Sequence, residues 1–246
     1  MLHADIVDFP QARRNRVCFQ LNQIREDFLM NPSVRLFFIL VCFLLTAANP
    51  ASAAIRAPAA GDLLISEVMA NPAAVSDSLG EWFELFNPTA DTLVLNQLVL
   101  SDNGSNRHTL SADTDLLLGS GEYFLLARNG DSASNGGIVP DYVYSSFTLG
   151  NSADAIILSL ADTEITRLEY GSGFAVSGAS TELLRLPAEL ANYQTSPEGM
   201  TYGMGDRGTP GAAGSAALPV SAVPLPAAGW LFGSGLLALL GTRRRS

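Results

Sequence analysis

The stretch Gly80-Glu81-Trp82-Phe83-Glu84-Leu85-Phe86-Asn87-Pro88 decides the fold class. Phe83 and Leu85 make a natural core face. Trp82, Glu84 and Phe86 share the opposite face, with a carboxylate between two aromatic rings. An alternation of period two is the mark of a β-strand, and Asn87-Pro88 ends it. An outer face this aromatic calls for a loop or another strand to cover it.

Outward from that strand, the same signal repeats. Further strands are expected at 62–69, 92–102, 122–128, 142–144, 154–160, 164–170 and 181–186, with the first one at 81–87. Turn clusters separate them: Asn71-Pro72, Asn103-Gly104, Asn129-Gly130, Asn135-Gly136-Gly137 and Gly171-Ser172-Gly173. Leu93 and Leu95 oppose Val94 and Asn96. Ile156, Leu158 and Leu160 oppose Ala155, Ile157 and Ser159. Thr166, Leu168 and Tyr170 oppose Ile165, Arg167 and Glu169. No stretch of the body has convincing helical periodicity, and no internal repeat is visible. About eight short strands with regular turns argue an all-β sandwich.

The two ends differ from the body. Residues 36–48 read LFFILVCFLLTAA behind Arg35, and Ala51-Ser52-Ala53 follows as an A-x-A cleavage pattern. This is the order of a signal peptide, with the cut after Ala53 and Ala54 as the first mature residue. Met30 starts the signal cleanly, so 1–29 is read as a wrongly assigned start or an extended leading region, and 30–53 as the signal. Cleavage removes Cys18 and Cys42 and leaves His108 as the single histidine. At the other end, 227–242 is apolar and Arg243-Arg244-Arg245 follows. Sixteen helical residues reach about 24 Å, close to the hydrocarbon thickness, with arginines able to snorkel. Val223-Pro224-Leu225-Pro226 ahead of it stays extended. The segments 54–61 and 205–222 are read as linkers, the second rich in Gly, Ala, Ser and Pro, around a domain at 62–204.

Composition narrows the function. The 246 residues contain 14 basic ones, all arginine, against 24 acidic ones, for a net charge of −10. Without lysine there is no P-loop and no Schiff base. Without a His/Cys set there is no zinc site. The acidic balance excludes duplex nucleic acid as a partner. No cofactor is implied. A Ser-His-Asp set would need His108, but no nucleophile elbow accompanies it. Glu81 and Glu84 stand three apart on a strand and point to opposite faces, so they are no glycosidase pair. Glu67 and Glu84 on neighbouring strands are the better pair, though hydrogen bonds from loop backbone, or Arg128, are the simpler partners for these glutamates. Calcium has two loose candidates, the loops carrying Asp102 and Asn103 and those carrying Asp131 and Asn135. The second departs from an EF-hand loop at Ala133 and Tyr142.

Two resemblances add to this reading. Ile65-Ser66-Glu67-Val68-Met69-Ala70-Asn71-Pro72, the 80–88 stretch, Leu98-Val99-Leu100-Ser101-Asp102, Gly121-Glu122-Tyr123-Phe124-Leu125-Leu126-Ala127-Arg128, Leu149-Gly150-Asn151-Ser152-Ala153-Asp154 and Gly208-Thr209-Pro210-Gly211 occur in the order of a bacterial lamin tail domain, which the body resembles over about 145 residues. Gln97-Leu98 departs from that pattern, where the family usually has Gly-Trp. The resemblance implies an immunoglobulin-like β-sandwich without catalytic residues. The tail at 223–246 resembles a PEP-CTERM sorting signal, with Leu225 where the family's namesake has Glu. That resemblance implies processing by an exosortase in a Gram-negative bacterium that exports polysaccharide. The expected protein is a non-enzymatic one, anchored in the inner membrane through 227–242 before processing. It then lies at the cell surface or in the extracellular matrix, with exopolysaccharide or surface proteins as partners. The alternatives are a metal- or carboxylate-dependent exported hydrolase acting on polysaccharide or phosphoester, and a simple membrane-anchored periplasmic protein.

Overall fold

The computed structural model describes residues 53–221. Its strands are β1 (Ile55–Arg56), β2 (Leu64–Met69), β3 (Trp82–Phe86), β4 (Thr92–Val94), β5 (Val99–Ser101), β6 (Arg107–Thr109), β7 (Leu117–Leu118), β8 (Tyr123–Ala127), β9 (Tyr142–Val143), β10 (Asp154–Leu160), β11 (Thr163–Tyr170), β12 (Thr181–Leu183) and β13 (Tyr193–Thr195). One helical turn at Asp77–Gly80 and one 3-10 turn at Leu190–Asn192 complete the described elements. The protein is all-β, as its periodicity requires. Of the expected signal peptide at 30–53, residues 30–52 with Ala51 lie outside the described residues, as does the tail at 223–246, while Ala53 and Ala54 are described. Among the described residues no helix is long and apolar enough to cross a membrane.

Three sheets form. Six strands run in the order β13-β12-β2-β3-β8-β9, four in the order β11-β10-β5-β6 and three in the order β1-β4-β7. One hydrophobic core joins all three, with Ile65, Phe83 and Leu85 from the first, Leu100, Ile156 and Leu158 from the second, and Leu93 and Leu118 from the third. This is the packing of an immunoglobulin-like sandwich.

Two β-bulges tune which side chains reach that core. In the β2–β3 pair, Ile65 opposes Leu85 and Glu67 opposes Glu84, so Ser66 is an extra residue. The bulge lets Ile65 and Val68 both point inward although three positions separate them. In the β10–β11 pair, Leu158 opposes Thr166 and Ser159 opposes Glu164, so Ile165 is extra. Ile165 is therefore buried together with Leu168 and Tyr170, not with Arg167 and Glu169 as strict alternation expects. Arg167 and Glu169 face water.

The strand expected at 92–102 is two strands in different sheets. The chain turns the corner at Gln97, which takes φ 69°. A glycine would enter that left-handed conformation without steric strain. Leu98 fills the adjoining core position with no exposure. The strand expected at 181–186 ends at Leu183. The segments β1, β7 and β13 carry too few residues for a pattern of period two to be read.

The stretches read as linkers pack on the sandwich. In 54–61, β1 pairs with β4 in parallel. In 205–222, the chain through Ser221 forms a strap. Asp206 is buried and accepts hydrogen bonds from the Ala73 and Ala74 N–H groups at 3.1–3.2 Å. Further on, Leu218 is buried in the core. The first and last described segments meet at one turn: the Ala54 N–H donates to Asp91 Oδ1 at 3.0 Å and the Ser221 N–H to the Pro88 carbonyl at 2.7 Å.

Candidate functional site

Both faces of β3 are buried, and the outer one holds the most unusual chemistry of the fold. Trp82, Met69, Leu125, Ala127 and Ile138 form a second small core there, closed by Tyr202 from the chain leading into the strap. The Trp82 indole N–H donates to the Tyr202 hydroxyl at 3.0 Å, ring edge to ring face. This is the cover that the sequence demands over the aromatic outer face.

Beside that small core runs a row of carboxylates. Glu182 on β12 opposes Glu67 on β2, and Glu67 opposes Glu84 on β3. All three are 1% exposed. Each holds the strap. Glu67 Oε1 accepts the Thr209 N–H at 2.8 Å, and its Oε2 accepts the Thr209 hydroxyl at 2.6 Å. Glu84 Oε2 accepts the Gly211 N–H at 2.7 Å. Glu182 accepts the Ser215 N–H at 2.6 Å and its hydroxyl at 2.7 Å. The Ser180 hydroxyl donates to Glu67 Oε1, and the Ser66 hydroxyl donates to Glu84 Oε1 at 2.7 Å.

Burial disfavours the charged form of these groups. It pushes the Glu84 carboxyl up to about 8, with the charge of Glu67 adding to the effect and the Ser66 hydroxyl opposing it. It also raises Glu67, against the hydrogen bonds from Ser180 and Thr209. The Glu67–Glu84 pair thus faces the strap backbone, as its simpler reading has it. Glu182, Ser180 and Thr209 were not singled out by sequence reasoning. A partial signal was present in β2 and β3, each of which carries one glutamate inside an otherwise largely apolar strand; the three-residue β12, Thr181–Leu183, carries no such signal.

Glu81 lies apart from this row. Its Oε2 accepts the Leu149 N–H at 3.1 Å and pairs with Arg128 Nη1 at 3.1 Å. Burial raises it to about 7, against those two partners. Glu81 and Glu84 do not converge.

His108, in the middle of β6, sits 2.9 Å by Nε2 from the Tyr142 hydroxyl, and its Nδ1 accepts the Ser145 N–H at 3.3 Å. It links an edge strand of the four-stranded sheet to the β9 edge of the six-stranded one. Among the described residues no carboxylate hydrogen-bonds to it.

The oxygens of the two calcium candidate loops accept hydrogen bonds, mostly within their own turns. Asp102 Oδ1 accepts the Gly104 and Asn106 N–H groups at 2.7 and 3.1 Å, and Asn103 Oδ1 accepts from Arg167. Asp131 accepts the Ala133 N–H and the Ser134 hydroxyl. Asn135 is buried and bonded through both its oxygen and its nitrogen. Among the described residues no group of three or more His, Cys, Asp or Glu side chains is placed to hold a metal ion.

An open groove of about 490 Å³ lies between the 171–174 turn and β13, lined by Gly171, Ser172, Phe174, Thr181, Tyr193 and Thr195. Of its two aromatic lining residues, Phe174 stacks on Tyr170 at 4.4 Å and meets Tyr193 at a tilt of 57°. Tyr193 donates its hydroxyl to the Ile65 carbonyl at 2.5 Å.

Residues 56–172 match the family model of the Lamin Tail Domain. No curated protein matches the chain. The matched span contains Glu67, Glu81 and Glu84 and ends before Glu182 and the strap, so it is shorter than the ordered resemblance reaching Gly211.

Proposed function

We propose that this chain is a non-enzymatic exported protein whose lamin-tail-like sandwich is a binding or structural module at the cell surface or in the extracellular matrix. Exosortase processes it through Val223, Pro224, Leu225 and Pro226 ahead of the apolar 227–242 segment and Arg243, Arg244 and Arg245. The single observation carrying this reading is the order of those three features in the tail.

The domain suits two cuts. Its last described contact is made by Ser221, just ahead of the motif, and its first strand begins after Ala53 and Ala54. Both ends leave from the turn at Pro88 and Asp91, so trimming at 53 and near 223–226 removes none of the strands. The chemistry of the body points the same way. Glu67, Glu84 and Glu182 are occupied by the strap, Glu81 by Arg128 and the Leu149 N–H, and the groove beside β13 is lined by aromatic, hydroxyl and glycine residues with Leu190 and Gln194. Residues 54–222 carry six arginines and twenty acids, a balance of −14. An anionic exopolysaccharide therefore requires divalent cations as bridges, and neutral polymer or surface protein is the easier partner.

Intact mass of the native protein in cell and medium fractions tests this. A species running from Ala54 to the 223–226 motif supports both processing steps. A species that still carries Arg243–Arg245 overturns exosortase processing and favours a plain anchor. Deleting 227–246 should abolish membrane retention and surface display; unchanged display sinks the sorting role.

A further inference from the structure

The chain contains three Asn-Gly pairs, Asn103-Gly104, Asn129-Gly130 and Asn135-Gly136. Such a pair can modify itself. The glycine nitrogen attacks the asparagine Cγ, loses its proton, and expels the side-chain nitrogen as ammonia. The five-membered succinimide that results is opened by water to aspartate or isoaspartate. One water is consumed, one ammonia leaves, and nothing is oxidised or reduced. Glycine permits the attack because no Cβ blocks the approach. The three pairs stand in different surroundings, and these set which one reacts.

At Asn103, a guanidinium and a carboxylate stand on the two reacting groups. Arg167 Nη1 donates to Asn103 Oδ1 at 3.0 Å. A cation on that oxygen polarises the amide and stabilises the negative charge that forms on it as Cγ becomes tetrahedral. Arg167 is fixed there from β11 by Glu164 at 3.1 Å and Glu169 at 3.4 Å. The attacking nitrogen has its own acceptor: the Gly104 N–H donates to Asp102 Oδ1 at 2.7 Å. That carboxylate is in reach to take the proton as the new C–N bond forms. Asn103, Gly104 and Ser105 are exposed, so water reaches the succinimide.

The other two pairs lack this arrangement. Asn135 is 1% exposed. Its Nδ2 donates to the Asn129 and Ile138 carbonyls, and its Oδ1 accepts the Gly137 and Ile138 N–H groups. Four bonds hold the side chain away from the rotation the attack needs. Asn129 donates to the Ser134 hydroxyl and accepts the Asp131 N–H, with no cation on its oxygen.

We propose that Asn103 is a self-modification site, at which Arg167 activates the side-chain amide and Asp102 receives the proton of the Gly104 nitrogen. The direct product is stabilised in place, because the new carboxylate at position 103 faces the same guanidinium. Isoaspartate there adds a methylene to the main chain of the β5–β6 hairpin, whose ends are closed by the Asp102 N–H on the Asn106 carbonyl. The modification thus ages one defined surface turn and leaves the sheets alone.

The test is peptide-level mass spectrometry of the folded full chain incubated in mildly alkaline buffer, reading the gain of one mass unit at each pair. Asn103 should convert roughly tenfold or more faster than Asn129 and Asn135, a modest share of what a single oxyanion donor is worth. Arg167→Gln, with its folding confirmed by circular dichroism, should slow Asn103 by a similar factor and leave the other two unchanged. In denaturant the three rates should converge, since neither Arg167 nor Asp102 is then held in place. The proposal falls if Asn103 is no faster than the others in the folded chain. It falls equally if Arg167→Gln leaves its rate alone, or if its lead persists in denaturant.

Discussion

Glu67 and Glu84 stand directly opposite each other across the antiparallel β2–β3 pair, each 1% exposed. Two like charges in that position repel, and burial strengthens the repulsion. The arrangement is stable because one of the two is held neutral. Glu84, pushed up to about 8, carries the proton at neutral pH. The Ser66 hydroxyl suits either state, since the Glu84 carbonyl is a second acceptor at 3.2 Å. Glu67 has the richer set of donors, from Ser180 and Thr209, and is the better place for the charge.

The protein should therefore lose stability as the solution turns alkaline. A carboxyl raised in the folded state binds more protons there than in the unfolded chain. Its stabilisation is whole below the ordinary glutamate value and is lost as pH rises through the folded value. For Glu84 the window runs up to about 8, and for Glu81 up to about 7. Each group contributes a slope of at most about 1.4 kcal/mol per pH unit inside its window. Melting temperature followed across this range should fall, and Glu84→Gln should flatten the fall. A melting temperature that rises steadily towards alkaline pH contradicts the assignment.

The strap is tight against the row, and Gly208 is where the fit is closest. A Cβ at this position would lie 2.7 Å from Ser180 Oγ and 2.8 Å from Glu67 Oε1. Gly208→Ala should cost about 1–3 kcal/mol, the usual range for overpacking. Gly171→Ala meets nothing within 4 Å and serves as the control, with a change within about 0.5 kcal/mol. Urea midpoints of the two variants decide; equal midpoints would mean that the strap yields freely.

The β-class and the central strands were legible because β3, β10 and β11 are long enough to display an alternation, and β2 and β8 are short, largely apolar runs that stop at turn residues. The carboxylate row was only half legible. Glu67 and Glu84 could be placed on neighbouring strands, but their register depends on the bulge at Ser66, and no residue type announces that bulge. Glu182 joins them only through a pairing between positions 115 residues apart in the chain, Glu67 and Glu182. The strap was read as a linker because Gly, Ala, Ser and Pro are the residues of flexible chain. Here the small residues allow close approach to the sheet, and the strap is fixed as much by its backbone N–H groups at Thr209, Gly211 and Ser215 as by the side chains of Asp206, Thr209 and Ser215, and backbone is what every sequence shares.

Trp82 should report on the strap. Its indole N–H is buried with Tyr202 as partner, so Tyr202→Phe leaves a buried donor unsatisfied. The cost expected is about 1–3 kcal/mol. Denaturation followed by tryptophan emission should show the lower midpoint, and an unchanged midpoint would place a water molecule or another acceptor at the indole.

His108 should respond in the opposite sense to the glutamates. Burial lowers it below the ordinary histidine value. Its neutral Nδ1 accepts the Ser145 N–H, and protonation forbids that bond. A depressed value means stability that is whole above the unfolded value and lost as pH falls through the folded one. Titration of the ring resonances by NMR should give a midpoint under that of a free histidine, with loosening of the β6–β9 seam below it. An ordinary midpoint would mean that the seam does not feel the ring.

The proposed signal cleavage has a structural consequence at Asp91. Its carboxylate already takes Arg56 at 2.6 Å through Oδ2, and its Oδ1 accepts the Ala54 N–H at 3.0 Å. Arg56 and the Ala54 bond hold Asp91 below its usual range. In the full chain Ala54 contributes a neutral amide. After a cut behind Ala53, the same nitrogen becomes an ammonium, and the bond becomes charge-assisted. The α-amino group of the mature protein should then titrate above the ordinary range of about 7.7–8.0. Labelling of the N-terminus as a function of pH reads that value, and Asp91→Asn should return it to the ordinary range. If the group titrates normally with Asp91 in place, either the cut lies elsewhere, which N-terminal sequencing shows at once, or the new terminus leaves the turn. With the cut confirmed behind Ala53, a normal value would mean that Asp91 serves Arg56 alone.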